Sequence, residues 1–105
     1  LVVLTDASMS SATFHFAQKV KDNRLGALVG GTTGGSRRGI NGGAYFFFRL
    51  PNSRLEVDLP LIGYFPETPQ PDEGVLPDRE VRQTAADLAA GFDRVAEAAL
   101  RMLGR

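Results

Sequence analysis

The feature that most constrains the fold is an apolar segment, a helical pattern and a second apolar segment within the first 30 residues. Leu1–Thr5 (LVVLT) is a short apolar run rich in β-branched residues, which is typical of a buried strand. Ser11–Asn23 repeats apolar residues at helical spacing, and Leu25–Val29 (LGALV) predicts a second strand. Two strands joined through a helix form a parallel βαβ unit with a right-handed crossover. The sequence therefore predicts an α/β fold.

A glycine-rich loop and a β-hairpin are predicted to follow. Gly30–Gly43 contains seven glycines among its fourteen residues and is expected to be a loop. Tyr45–Leu50 (YFFFRL) and Leu55–Leu59 (LEVDL) predict two strands joined by the turn Pro51–Arg54. Because aromatic residues occupy both faces of the first strand, we expect both of its faces to be buried.

The last third of the chain predicts an irregular connection and one long helix. Five of the six prolines fall between positions 60 and 77, so Leu61–Pro77 cannot form a regular helix. Thr84 followed by Asp87 resembles a capping box, which predicts a long C-terminal helix that runs to Met102. Gly91 is a mild weakness inside that helix. The apolar stripe of the helix could pack on another domain or on a second copy in a homo-oligomer.

The composition excludes several classes of function. Lys plus Arg and Asp plus Glu number 12 each, so the net charge is zero and predicts neither a nucleic-acid nor an anionic-membrane partner. The chain has no cysteine, and His15 is its one histidine. Disulfides, cysteine nucleophiles and multi-histidine metal sites are therefore excluded, and we expect no metal and no cofactor. No apolar run approaches the roughly 20 residues of a membrane span.

Ser11 is the first candidate for chemistry. It stands at the start of the predicted helix, just after the carboxyl end of a strand, where α/β sheets present ligands and nucleophiles. The first-turn N–H groups and the positive end of the helix dipole could hold an oxyanion, with the Ala12 N–H as the donor. Local sequence alone also permits a simpler interpretation, in which Ser10 or Ser11 is only the helix N-cap.

Four segments in order resemble the C-terminal processing (tail-specific) serine peptidases, over roughly residues 1 to 81. In that family a strand ending near a Thr-Asn/Asp pair leads to Ser-Ala, with Phe-Ala five residues after the serine. The matching segments here are Leu4–Ala17 with Ser11-Ala12 and Phe16-Ala17, then Leu28–Gly35, Arg49–Ser53 and Glu73–Asp78.

The resemblance implies a ClpP/crotonase-like fold, a superhelix of ββα units, of which residues 1–105 are the C-terminal portion of one peptidase catalytic domain. It implies that Ser11 attacks a peptide carbonyl and that the Ala12 N–H stabilises the oxyanion. The loop after the second strand borders the substrate cleft in the family, so its substrate-binding candidates are Gly34, Gly35, Arg37 and Arg38. The implied partners are a peptide or protein substrate and the upstream part of the domain. Bacterial members imply a periplasmic or otherwise extracytoplasmic location.

The sequence departs from the family at the general base. The lysine of the bacterial Ser–Lys dyad would fall at Ser36, and the adjacent Arg37 is charged at any working pH. The chain is therefore closer to the branch that includes tricorn protease and the interphotoreceptor retinoid-binding repeats, where Glu73 lies near the position of a catalytic glutamate. The histidine would lie upstream, and we expect the 105 residues alone to be inactive. His15 lies four residues after Ser11 on the same helical face, but the family gives that position no catalytic role.

Two other functions stay open. A non-catalytic module on the same fold could bind a peptide or an apolar ligand in the cleft. A crotonase-type acyl-CoA enzyme is the third candidate, and the match of Ser11-Ala12 to the peptidase segment argues against it.

Overall fold

The computed structural model describes all 105 residues and divides them into two compact units. The first unit comprises residues 1–35 and 73–105, and the second comprises residues 36–72. The mixed α/β class predicted from the sequence is confirmed. None of the helices is long and apolar enough to cross a membrane. In chain order the elements are β1 (Val2–Thr5), α1 (Ser11–Asp22), β2 (Ala27–Gly30), β3 (Ile40–Arg49), β4 (Glu56–Tyr64), β5 (Arg79–Glu80), α2 (Ala85–Ala89) and α3 (Arg94–Met102).

The first unit is built on a parallel sheet with the strand order β1-β2-β5. β1 and β2 pair over four residues, with Val3 opposite Leu28, and β5 adds two pairs on the far side of β2. The pairing continues past β2, where the Gly31 N–H donates to the Thr5 carbonyl at 2.7 Å. The predicted parallel strand–helix–strand unit is therefore confirmed.

Helix α1 covers one face of this sheet. Its buried side chains are Phe14, Ala17 and Val20, and they pack with Leu28 of β2 and with Val75 in a cluster whose members are at most 4% exposed. Their spacing in the sequence places them on one side of the helix. Burial of each large apolar side chain stabilises the fold by about 1.5–3 kcal/mol. The helix therefore holds its N-terminus at a fixed place against the sheet.

Helix α3 covers the opposite face. Val29 follows Leu28 in the same strand and is fully buried outside the α1 cluster, so its side chain points to the other side of the sheet. α3 lies against β1 and β2, and its buried residues are Ala98 and Ala99. Small side chains at these positions let the helix backbone approach the short strands closely.

The prediction of one long C-terminal helix is wrong, because the chain forms α2 and α3 with a break between them. The predicted capping box is confirmed, since Thr84 and Asp87 each accept the other's backbone N–H, at 3.1 and 2.9 Å. The break follows from Gly91, which adopts φ +65°, and from Asp93, whose carboxylate accepts the Ala96 N–H and starts a new helix.

An ion pair between buried Asp87 and half-exposed Arg94 joins the two short helices. Asp87 is 6% exposed, and the Arg94 guanidinium donates to it from Nε at 2.8 Å and also from Nη2. The hydrogen bonds from Arg94, followed by those from Thr84, hold the pKa of the Asp87 carboxyl well below its usual range. The Gln83 side chain adds a second link, because its Oε1 accepts the Arg94 N–H at 2.9 Å. The break between the helices is thus a fixed corner.

The second unit is an antiparallel β3–β4 hairpin, as predicted, although both strands are longer than expected. The Leu50 N–H donates to the Leu55 carbonyl at 2.9 Å, so the loop is the predicted Pro51–Arg54. β3 begins at Ile40, within the predicted glycine-rich loop. The register shifts between Gly42 and Tyr45, where two β3 residues stand opposite one β4 residue in a β-bulge.

The predicted burial of both aromatic faces is wrong for this chain. The four aromatic side chains of β3, Tyr45 to Phe48, are 45–66% exposed. The pairing of β3 with β4 gives the hairpin one apolar face and one face that carries charged residues. One face carries only apolar side chains between the turn and the bulge: Phe46, Phe48, Leu50, Leu55, Val57 and Leu59. The other carries Tyr45 stacked on Phe47 at 6.5 Å, together with Arg49, Glu56 and Asp58.

Candidate active site

The turn between β1 and α1 is fixed by the Asp6 carboxylate. Its Oδ1 accepts the Ser8 hydroxyl at 2.5 Å and the Ser8 N–H at 2.8 Å, and its carbonyl accepts the Met9 N–H at 3.1 Å. The Ser8 hydroxyl is the main cause that lowers the pKa of Asp6, with the Ser8 N–H second. An ionised side chain therefore organises the turn that carries the chain from the strand to the helix.

Ser11 is the first residue of α1 and has a backbone φ of +53°. A residue with a Cβ in this left-handed region costs roughly 1–2 kcal/mol. Ser10 is the N-cap, as one form of the simpler interpretation expected, although its side chain makes no capping hydrogen bond. Ser11 is not the cap, and its hydroxyl makes no hydrogen bond within the chain. Strained residues of this kind concentrate at functional sites, and a serine on a strained strand-to-helix turn is a known way to present a nucleophile.

The N-terminus of α1 provides hydrogen-bond donors beside Ser11. The first backbone hydrogen bonds of the helix are made by the N–H groups of Thr13 and Phe14, which donate to the Ser10 carbonyl at 3.2 and 3.4 Å. Ala12 precedes them in the first turn, where an N–H has no acceptor within the helix. This N–H and the helix dipole provide partial positive charge for an anion formed next to the Ser11 hydroxyl.

Gly34 and Gly35 support the turn that carries Ser11. A Cβ built on Gly34 would lie 2.4 Å from the Ala7 carbonyl oxygen, so only glycine allows this approach. Gly35 adopts φ +79°, and a Cβ there would lie 3.1 Å from the Phe14 ring. The loop after β2 thus packs on the residues just before and just after the candidate nucleophile.

Glu73 lies in the first unit together with Ser11 and is exposed. Its neighbours are tightly held: the Thr33 hydroxyl oxygen accepts the Val75 N–H at 2.8 Å, and the Thr33 N–H donates to the Val75 carbonyl at 3.1 Å. A Cβ on Gly74 would lie 1.9 Å from the Thr33 carbonyl oxygen. No hydrogen bond or ion pair joins Glu73 to Ser11, and the chemical role of Glu73 stays a prediction.

The two arginines of the glycine-rich loop belong to the second unit, where each has an internal partner. Arg37 donates from Nη2 to the Gln70 side chain at 3.0 Å, and Arg38 donates to Asp72 at 3.4 Å. Ser36, the residue at which the sequence predicts the lysine position of the Ser–Lys dyad, donates its hydroxyl to Asp72 at 2.7 Å. This hydrogen bond is the first cause that lowers the pKa of Asp72, and Arg38 adds to it.

His15 is half-buried on α1, and its ring meets the edge of the Phe14 ring with centroids 5.5 Å apart and planes at 69°. This contact ties the imidazole to a core residue of its own helix. No group of three or more His, Cys, Asp or Glu side chains is arranged to hold a metal ion.

Asp78 was recognised in the sequence only as part of a motif, but the structure gives it a definite role. Its Oδ2 accepts the Leu28 N–H at 2.8 Å, and its own N–H donates to the Leu28 carbonyl at 2.8 Å. Its Oδ1 lies 3.2 Å from Lys21 Nζ of α1. The Leu28 N–H and, after it, Lys21 lower the pKa of Asp78. Asp78 therefore connects β2 to the helix that begins at Ser11.

These features are typical of an α/β enzyme that presents a serine nucleophile at the carboxyl edge of a parallel sheet. The comparison with known families agrees, because the sequence model of peptidase family S41 matches residues 1–81. The chain belongs to peptidase family S41, the C-terminal processing peptidases, as its motifs predicted. No curated protein sequence matches the chain.

Proposed function

We propose that this chain carries the nucleophile of a serine peptidase and that the nucleophile is Ser11. The Ser11 Oγ attacks the carbonyl carbon of a peptide bond and passes its proton to a base. The tetrahedral oxyanion then collapses, the C–N bond breaks, and the amine leaves with a proton while the acyl group stays on Ser11 as an ester. Water hydrolyses this ester and returns the serine.

The observation that carries the proposal is the backbone conformation of Ser11. A serine at φ +53°, with a hydroxyl that makes no hydrogen bond, does nothing for stability that glycine would not do better. The position lies inside the segment that matches the peptidase family. Chemistry at the hydroxyl gives a reason for a residue that the backbone disfavours.

We propose that the Ala12 N–H donates a hydrogen bond to the oxyanion. The general base, in this proposal, comes from outside these 105 residues. Ser36 occupies the lysine position, so a Ser–Lys dyad cannot form there. An imidazole from elsewhere in the protein, with Glu73 as its acidic partner, fits the branch with tricorn protease and the retinoid-binding repeats. The same proposal places the parallel sheet and its helices within a ClpP/crotonase-like domain.

The test is labelling of the intact protein with a fluorophosphonate probe, with the modified residue mapped by mass spectrometry. The expected adduct lies on Ser11 and disappears in Ser11→Ala. Ser10→Ala is the matched control, because it removes the neighbouring hydroxyl and should leave labelling and peptide hydrolysis in place. A folded protein that gives no adduct contradicts the proposal and favours the non-catalytic binding module. An adduct that survives Ser11→Ala contradicts it as well and assigns the nucleophile to another residue.

We further propose that the loop with Gly34, Gly35, Arg37 and Arg38 borders the substrate cleft. Arg38 could exchange Asp72 for a peptide carboxylate, because both side chains of that pair are about two-thirds exposed, at 66% and 67%. Arg37 is held by Gln70 in a partly buried hydrogen bond, so it would have to give up that partner to bind the carboxylate. Replacement of both arginines by alanine should weaken binding of a peptide with a free carboxyl terminus, but not of its amide. Arg101→Ala, which removes an exposed arginine of α3, is the control. Equal affinity for acid and amide in all variants would refute this assignment.

A further inference from the structure

The first unit contains a cavity of about 690 Å³ at the carboxyl edge of the parallel sheet. Its lining includes Thr5, the last residue of β1, and Gly31, which directly follows β2. Residues of α2, of α3 and of the corner between them also line the cavity. The volume lies within the range of about 300–1,000 Å³ that is usual for small-molecule and cofactor sites.

Most of the cavity wall is apolar. The side chains that give it this character all lie between residues 81 and 95: Val81 after β5, Leu88 in α2, Phe92 in the corner and Val95 in α3. Phe92 belongs to the corner that replaces the expected continuous helix. The break after α2 therefore places an aromatic side chain in the wall.

The corner that carries Phe92 is held from both sides. The Gln83 side chain donates to the Phe92 carbonyl and accepts the Arg94 N–H, and Arg94 is bound to buried Asp87. A wall fixed by these hydrogen bonds loses little conformational freedom when a ligand binds, which favours recognition of shape.

The rim of the cavity reaches the turn that carries the proposed nucleophile. Asp6 lines the cavity, organises that turn through Ser8, and precedes Ser11 by five residues. The hydroxyl of Thr5 donates to the Gly31 carbonyl at 2.8 Å, which ties together the two strand ends that line the cavity. A chain bound at Ser11 could thus place a neighbouring side chain in the cavity.

We propose that this cavity is a specificity pocket that takes a large apolar side chain of the peptide substrate, an inference that rests on the proposed function. The apolar walls favour aromatic and branched aliphatic side chains. The negative charge of Asp6 on the rim disfavours acidic ones, and Arg82 does not offset it because Glu80 already pairs with it at 2.7 Å. The pocket therefore selects against Asp and Glu by charge and against small residues by the apolar surface they leave uncovered.

The test measures peptide binding to the intact Ser11→Ala protein by fluorescence anisotropy. The probes are fluorescein-labelled alanine pentapeptides whose central residue is Phe, Ala or Asp. We expect the Phe peptide to bind on the order of tenfold tighter than the Ala peptide, and the Asp peptide to bind weakest. Val95→Phe fills the pocket and should remove the preference for Phe, whereas Leu100→Phe, on the same helix but outside the wall, should retain it.

Equal affinity for the three peptides, or a preference for Phe that survives Val95→Phe in a folded protein, overturns the proposal. Val95→Ala provides a second variant, since it widens the pocket and should weaken binding of the Phe peptide without overpacking. The two proposals fail in different ways. If Ser11 is not the nucleophile, Ser11→Ala still hydrolyses the peptides, which a separate hydrolysis assay detects. If the pocket assignment fails, Ser11→Ala is inactive but binds the three peptides equally.

Discussion

Replacing Ser11 by glycine separates the chemical role of this residue from its structural role. At φ +53° glycine has no Cβ penalty, so the substitution relieves the strain at the start of α1. Serine in this conformation costs roughly 1–2 kcal/mol. Glycine also gives the unfolded chain more conformational freedom, which reduces the gain in stability from the relieved strain by about 0.4–1 kcal/mol. The expected outcome is a Ser11→Gly protein that is about 0.8 kcal/mol more stable, which is the difference between the midpoints of the two ranges, and that has lost peptidase activity.

The measurement is thermal unfolding followed by circular dichroism at the helical band, because all three helices belong to the first unit. A gain of this size raises the melting temperature by roughly 2–8 °C for a chain of about 100 residues. Ser11→Ala retains the strain and removes a hydroxyl that makes no hydrogen bond, so it should melt within about 0.5 kcal/mol of the natural protein.

Arg24→Gly is the matched control for the backbone effect. Arg24 has the same φ of +53° at the other end of α1, where the Leu25 N–H donates to the Val20 carbonyl in a Schellman arrangement. It should be stabilised by a similar amount without loss of activity. A Ser11→Gly protein that is less stable than Ser11→Ala, beside a stabilised Arg24→Gly, would refute the argument that Ser11 is strained.

Substitutions at three further positions test the framework of the site, each by thermal unfolding. Asp78→Ala should cost about 1–3 kcal/mol because it leaves the buried Leu28 N–H without an acceptor, and Asp78→Asn should cost less because its amide oxygen can still accept. The pKa of Asp87 is lower in the folded protein than in the unfolded chain, so its stabilising effect is present at neutral pH and is lost as the pH falls below about 4. Asp87→Asn should therefore melt lower at pH 7 and lose less stability between pH 4 and pH 2; an unchanged acid profile would contradict this. Gly74→Ala should lower the melting temperature, because its Cβ would lie 1.9 Å from a backbone oxygen, and a neutral result would mean that the facing loop can move aside.

The elements that the sequence predicted well are those with strong local signals. β1, α1 and β2 begin and end within two residues of the predicted bounds, because apolar runs and helical periodicity report burial directly. The turn Pro51–Arg54 was predicted by its residue types. The two residues of β5 have no periodicity to read, since they become a strand only by pairing with β2.

The break between α2 and α3 depends on tertiary structure. A single Gly91 within a helical pattern is compatible with a continuous helix, and the bond between Asp87 and Arg94 that fixes the corner joins residues seven apart. The exposed aromatic residues of β3 show a related limit of pattern reasoning. The apolar pattern of a strand predicts which side chains can be buried, but it does not show which other part of the protein would cover them.

The position of Ser11 was predictable, whereas its strain was not. A strand, a turn and a helix start are local patterns, but the sign of φ depends on how the turn is held by Asp6 and packed by Gly34. Asp78 acts on the backbone of a strand 50 residues away, and no spacing rule in a single sequence reports such a contact.

The β-bulge in the hairpin separates the two halves of β3 into independent registers. Between Gly42 and Tyr45 the strand has two residues opposite a single residue of β4. Ile40–Gly42 and Tyr45–Arg49 therefore each form a regular antiparallel pairing with β4. Removal of Gly43 or Ala44 would therefore restore a regular antiparallel ladder and leave the side chains of both halves on their present faces. A deletion elsewhere in β3 would shift the register by one residue, so that apolar side chains would move to the face that now carries the charged ones. The site of the bulge is the place where this hairpin can lose a residue during evolution and still present the same face.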